Sequence, residues 1–168
     1  RPGPLAATQA VVVPHGSPAA VAETLAAAGV IESPIAFRVA AALTVRAGPL
    51  HAAELAFPAH ASLRATLAVL RTGRPVQHRL TIPEGLTAAQ IARLIDAAPA
   101  LDGPTPMPQE GAVLPQTYSY ERGMSRAAVV ARARVAMERA LDRAWAERDP
   151  DLPLTDPAQL LTLASIVE

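Results

Sequence analysis

Two stretches of this chain share one pattern: a short apolar strand, a turn that contains proline and glycine, a capping residue and then a helix. They lie at residues 11–25 and 80–94. Each predicts a strand that leads directly into a helix, because the serine or threonine after the turn can cap the first free backbone N–H groups. Shared strand-to-helix chemistry explains the similarity better than a true repeat. The pattern favours short helices packed on small sheets, an α+β fold.

Capping residues predict where the helices begin. Ser or Thr precedes five helical patterns, and proline follows the cap directly in two of them. Thr87 and Gln90 have capping-box spacing, with Leu86 and Ile91 as the hydrophobic staple. The five predicted caps are Ser17, Ser33, Ser62, Thr87 and Ser125. Strands are predicted at residues 10–14, 54–57 and 76–83. The order up to about residue 74 is strand, helix, helix, strand, helix, a module too small for an elaborate active site and suited to recognition or scaffolding.

Composition excludes several classes of function. Hydrophobic residues make up 51% of the chain and aromatic residues 3%, so the core must be aliphatic. The formal net charge is zero, which gives no electrostatic basis for nucleic-acid binding. All 15 basic residues are Arg, so this chain has no Schiff-base lysine for a pyridoxal-phosphate reaction. Cysteine is absent and the four histidines are scattered, so neither a metal site nor a cofactor is expected.

The region between the fourth and fifth predicted helices is rich in turn residues. Residues 99–110 predict a mobile connection, and residues 111–120 an irregular segment that holds both tyrosines. Tyr118 and Tyr120 have two interpretations: an aromatic wall that faces a substrate, or rings and hydroxyls that pin the segment to the core. The helix after Ser125 is predicted to reach about residue 148. Its predicted inward residues are Val130, Met137, Leu141 and Trp145.

The last helix is predicted to begin at Asp156-Pro157 and to end on a single carboxylate, Glu168. Leu160, Ala164 and Val167 share an apolar face, and helical spacing puts Glu168 beside it, between Ala164 and Leu161 around the cylinder. A carboxyl group against apolar surface has a raised pKa, which suits a general acid. The competing interpretation is a solvated glutamate at a helix end.

Three motifs in order resemble the endolytic murein transglycosylase (YceG-like) family. They are Thr-Ile-Pro-Glu-Gly-Leu-Thr at 81–87, Gly-Ala-Val-Leu-Pro-Gln-Thr-Tyr at 111–118 and Leu-Ala-Ser-Ile-Val-Glu at 163–168. The family usually has Asp at the position of Gln116, so a charge role there is in doubt. The resemblance covers the chain from about Val11 onward.

The resemblance implies an organisation and a location. Residues 1–9 would be an extended lead-in, residues 10–74 a small LysM-like α/β module, and residues 75–168 the first part of an incomplete α+β catalytic domain. Arg1 and Glu168 as first and last residues suggest a fragment. The implied protein is single-pass in the bacterial inner membrane, with this part in the periplasm and the membrane helix absent from this chain. Its implied partners are peptidoglycan glycan strands, with penicillin-binding cell-wall synthases as candidates.

The resemblance also implies chemistry at Glu168. Lytic transglycosylases cleave the bond between N-acetylmuramic acid and N-acetylglucosamine without water and leave a 1,6-anhydro end. One carboxyl group can act first as acid and then as base, so a second carboxylate is not required. Glu84, Thr117 and Tyr118 are candidate substrate-binding residues. Glu84 is also a candidate second carboxylate that assists Glu168, or only a turn residue near a helix N-terminus. The alternative is a non-catalytic peptidoglycan-binding or scaffolding module.

Overall fold

The computed structural model describes residues 3–167 and has the expected α+β fold, with six α-helices and two small antiparallel sheets in that range. The elements in chain order are β1 (Gln9–Val12), α1 (Pro18–Ala27), α2 (Pro34–Leu43), the 3-10 helix η1 (Val45–Ala47), β2 (Glu54–Phe57), α3 (Leu63–Thr72), β3 (Gln77–Thr81), α4 (Ala88–Asp96), β4 (Thr117–Glu121), α5 (Arg126–Ala146) and α6 (Pro157–Val167). Two compact units divide the chain: unit 1 ends at Gln77 and unit 2 begins at His78.

Unit 1 is a two-stranded sheet with three helices. β1 and β2 are antiparallel, with Gln9 opposite Phe57 and Val12 opposite Glu54. α1 packs against α2, and α3 packs against β2. The core is aliphatic except for Phe37 and Phe57, as the composition predicts. The assignment of this region to a LysM-like module stays a prediction.

Unit 2 is built on the β3–β4 pair. The Thr81–Thr117 hydroxyl contact and the His78–Tyr120 ring stack show that the two strands run antiparallel. Leu80 and Ile82 alternate with exposed residues, which confirms a strand with one buried face. Helices α4 and α5 contribute five further core side chains, which are Ile91, Ile95, Val129, Val130 and Ala133.

All five predicted N-caps are confirmed. Each cap side chain accepts a hydrogen bond from the backbone N–H three residues later, at 3.1–3.3 Å. The Thr87–Gln90 capping box is present in both directions, since the Gln90 side chain also accepts from the Thr87 backbone N–H at 2.8 Å. Within the described residues, no helix is long and apolar enough to cross a membrane.

One expectation for unit 2 is wrong. Residues 117–121 form strand β4 and not an irregular segment. Thr117 lies 36 residues after its partner Thr81, so no local pattern marks the pairing. The segment after α4, which the sequence predicts to be a mobile connection, has two anchors: the buried side chain of Leu101 and a hydrogen bond of 2.9 Å from the Arg126 guanidinium to the carbonyl of Gly103.

The inner faces of the last two helices also differ from prediction. On α5 the buried residues are Val129, Val130 and Ala133, and the predicted Met137, Leu141 and Trp145 are only half-buried. On α6, Ala164 is exposed, and Leu160 and Leu161 are half-buried. The apolar stripe of α6 is therefore rotated toward Leu161 and is only partly covered by the described residues.

Candidate functional site

The first motif forms the turn between β3 and α4. Ile82 is buried, and its N–H donates to the carbonyl of Gln116 at 3.0 Å, which ties the end of β3 to the second motif. Glu84 and Gly85 form the turn, and Gly85 has a φ of +73°, a conformation that favours glycine. The turn therefore places Thr87 at the N-cap position of α4.

The N-terminus of α4 has two side-chain acceptors. Besides Thr87, the Glu110 carboxylate accepts a hydrogen bond from the Ala88 N–H at 2.9 Å, in a partly buried position. A carboxylate is favourable there, because the first turn of a helix has free N–H groups and a partial positive charge. Glu110 thereby fixes the start of the second motif next to the end of the first.

The second motif meets helix α6 at Gly111. This glycine has a φ of +71°, and a Cβ atom added to it would lie 3.4 Å from the Leu161 Cδ2 on α6. A larger residue would thus be strained in its backbone and would press against α6. We call Ala88, Glu110, Gly111 and Leu161 the Gly111 junction. It joins the α4 N-terminus, the second motif and α6.

Both tyrosines of β4 are core residues. Tyr118 is 4% exposed and donates its hydroxyl hydrogen to the carbonyl of Leu114 at 2.6 Å. Tyr120 is 1% exposed and donates to the carbonyl of Pro99 at 2.8 Å. Burial raises the pKa of both phenols, and Arg132 near Tyr118 and Arg122 near Tyr120 act in the opposite direction. The two tyrosines therefore hold β4 on the core of unit 2 and do not form an aromatic surface that faces a substrate.

The predicted site residues are not equally well placed. Glu168 lies outside the described residues. Glu84 is exposed in its turn, and Thr117 shares a hydrogen bond of 2.8 Å with the hydroxyl of Thr81. The buried ring of Tyr118 gives no support to a substrate contact, so that role stays a prediction. Among the described residues, no group of three His, Asp or Glu side chains could hold a metal ion.

Sequence reasoning missed Glu110. It lies in a proline-rich stretch, and the N–H that it caps is 22 residues away, so no local pattern marks it. Thr81 was also missed, although its position at the end of a predicted strand and inside the first motif could have suggested it. Both contribute to holding the first two motifs together.

Comparison with known proteins decides the family. The sequence matches the profile of the YceG-like family across residues 11–168. The chain belongs to the YceG-like family. Among solved structures it is similar to the yceG-like protein lmo1499 from Listeria monocytogenes, with 18% identity, a TM-score of 0.38 and coverage of 83% of this chain. The chain spans 57% of that protein. A comparison with curated proteins finds no match.

This YceG-like chain also has a concavity of about 1070 Å³ in unit 1. It lies between the loop that follows β1, the loop that precedes β2, and α2. Its polar side chains are His15, Ser17, Arg38, His51 and Arg71, and the other described lining residues are Gly, Pro, Ala, Val, Leu and Ile. Carboxylates, carboxamides and the rings of Phe, Tyr and Trp are absent from this described lining. The concavity is therefore apolar with a basic edge.

Proposed function

We propose that this chain is part of an endolytic peptidoglycan lytic transglycosylase. The enzyme would cleave MurNAc–GlcNAc bonds in nascent glycan strands, leave 1,6-anhydro-MurNAc ends and so terminate strand elongation. Membership of the YceG-like family supports the proposal, since that family is associated with murein transglycosylase function. The observation that carries it is the Gly111 junction, where Glu110, just before the second motif, contacts α4 and Gly111, the first residue of that motif, contacts α6.

Glu168 is the proposed catalytic acid and base. The sequence-based prediction puts it beside Leu161 around α6, and Leu161 is the α6 residue that reaches Gly111. Its carboxyl group would donate a proton to the glycosidic oxygen as the bond to C1 of MurNAc breaks. The resulting carboxylate would accept the proton of the C6 hydroxyl as that oxygen bonds to C1, so that protons balance without water.

The location and the partners belong to the same proposal. We place this part of the protein in the periplasm, with an inner-membrane anchor outside this chain and glycan strands as substrate. Cell-wall synthases are the proposed protein partners. The aliphatic lining of the unit 1 concavity lacks the aromatic rings and carboxamides expected to hold a sugar. A non-catalytic glycan-binding or scaffolding module remains the alternative.

Mass spectrometry of peptidoglycan strands incubated with the natural full-length protein tests the proposal. We expect anhydro-ended fragments, and we expect Glu168→Gln to lower their rate of formation by about 100- to 10,000-fold, the usual contribution of general acid–base catalysis. The matched control is Glu147→Gln, which changes an exposed carboxylate at the end of α5 and should retain activity.

Each other outcome has a distinct meaning. Ends one water heavier would identify a hydrolase and contradict the transglycosylase mechanism. Equal activity of Glu168→Gln and the parent would remove Glu168 from the mechanism. Glycan binding without cleavage by the parent would favour the non-catalytic module.

A further inference from the structure

Helix α2 is apolar on its outer face. Its inner face buries Phe37 and Ala41, which pack in the core of unit 1. The opposite face of a surface helix is normally charged or polar, and a helix that is apolar all round is normally covered on all sides. α2 departs from this rule, because its large aliphatic side chains point away from the core.

The exposed aliphatic residues form one continuous stripe. Three of them are spaced four residues apart along α2, and the fourth is the first residue of η1. Their side chains are between 54% and 81% exposed, with Leu43 the most exposed. They are Ile35, Val39, Leu43 and Val45. We call these four residues the α2 stripe. Scattered single apolar residues need no explanation, but a contiguous stripe marks an interaction surface.

The charged residues of α2 and η1 are both arginines, and the exposed Glu32 lies just before α2. Between Pro34 and Ala47 the only charged residues are Arg38 and Arg46. Within the described part of the chain, neither guanidinium has a hydrogen-bond or ion-pair partner. Arg71 lies at the same end of α2, where it donates to the Thr44 hydroxyl at 2.8 Å and to the Gly48 carbonyl at 3.1 Å. This pair of bonds joins the two residues that flank η1, which contains Val45, to Arg71 of α3.

The adjoining concavity extends the same chemistry. Ile35, Val39 and Val45 of the α2 stripe line it, as do Arg38, His15 and His51. The described lining contains no acidic residue. The whole surface therefore combines aliphatic side chains with positive charge, and that combination is complementary to a layer of apolar chains beneath anionic headgroups.

We infer that the α2 stripe docks on the surface of an anionic lipid bilayer. The aliphatic side chains enter the boundary between headgroups and acyl chains, and Arg38 and Arg46 contact the lipid phosphates. The two arginines of α2 and η1, with no acidic residue in the described lining of the concavity, favour lipid over a second copy of this chain, because two copies packed through this face would bring these arginines together. The inference is independent of the proposed catalytic activity.

A single-cysteine label tests this inference directly. The chain has no cysteine, so Leu43→Cys carries an environment-sensitive fluorophore at one defined position. Vesicles of phosphatidylcholine with about one-third phosphatidylglycerol should shift its emission to shorter wavelength, and neutral phosphatidylcholine vesicles should not. The matched control is Met107→Cys in unit 2, which is also exposed but should show no shift with either vesicle.

Sedimentation with the same vesicles separates the two parts of the surface. Ile35→Asn with Val39→Asn should weaken binding by about tenfold or more, because apolar insertion is lost. Arg38→Gln with Arg46→Gln should remove the preference for anionic vesicles, and added salt should have the same effect. Circular dichroism of each variant checks that the exposed substitutions leave the fold intact.

Three results would overturn the inference. One is an unshifted label at position 43 with anionic vesicles. Another is equal vesicle binding by the parent chain and the Ile35→Asn, Val39→Asn variant. The third is label emission at position 43 that is already at shorter wavelength without lipid and moves to the wavelength of a solvent-exposed label on dilution. That result would show that a second copy covers the stripe.

Discussion

Replacement of Thr66 by valine should stabilise unit 1. Thr66 on α3 is completely buried, and its Oγ1 atom has no hydrogen-bond partner within the described residues. Three other threonines within helices donate to the carbonyl four residues earlier, namely Thr24, Thr72 and Thr162. Thr66 makes no such bond. Burial of an unpaired hydroxyl costs about 1–3 kcal/mol in mutational data, and valine has nearly the same shape.

We expect Thr66→Val to raise the free energy of unfolding of unit 1 by about 1–2 kcal/mol. Native-state hydrogen exchange is the suitable assay, because Tyr118, Tyr120 and Trp145 all lie in unit 2 and their signals do not report on unit 1. The slowest amides of β1 and β2 should exchange about 5- to 30-fold more slowly.

Two variants complete the test. Thr66→Ser keeps the hydroxyl and loses the methyl group, so it should destabilise unit 1 by about 1 kcal/mol. Thr24→Val loses a hydrogen bond of 3.0 Å to the Ala20 carbonyl and should give no stabilisation. Unchanged or faster exchange in Thr66→Val would refute the reasoning, since it would mean that the hydroxyl is satisfied or that the site does not accept the extra methyl group.

Two further predictions concern unit 2. Its stability should fall as pH rises above about 10, because the unfolded phenols ionise there while burial raises the folded pKa of Tyr118 and Tyr120 and keeps them neutral. Urea unfolding followed by Trp145 fluorescence checks this, and a Tyr118→Phe, Tyr120→Phe variant should lose the decline. Glu110→Ala should destabilise unit 2 by about 1 kcal/mol, because it removes a cap from the Ala88 N–H. Glu110→Gln, which retains an acceptor oxygen, should lose less, and equal losses would show that charge alone matters.

Local sequence patterns predicted the helix starts well. A cap side chain and its N–H are only three residues apart, so the capping bonds depend little on the rest of the fold. The α+β class and the burial alternation along β3 followed from similarly short patterns. Motif resemblance gave the YceG-like family, which residue chemistry alone did not identify.

Long-range pairing accounts for what was missed. β4 alternates buried Tyr118 and Tyr120 with exposed residues, a signal for a strand that the neighbouring proline and glycine obscured. The bond from Ala88 to Glu110 and the contact of Gly111 with Leu161 depend on tertiary packing, so a single sequence cannot show them. The sequence also did not predict the exposed outer face of α2, because an apolar helix is ordinarily predicted to be buried.

The segment between α4 and Gly111 is pinned at both ends, by Arg126 near Gly103 and by Glu110 at the start of α4. Extra residues placed between the exposed Pro106 and Met107 would leave both anchors intact. Doubling the length of such a loop costs only about 0.6 kcal/mol in closure entropy. An affinity tag or a fluorescent domain can therefore be inserted between Pro106 and Met107. Unit 2 should keep its fold, and the inserted segment should lie in solvent.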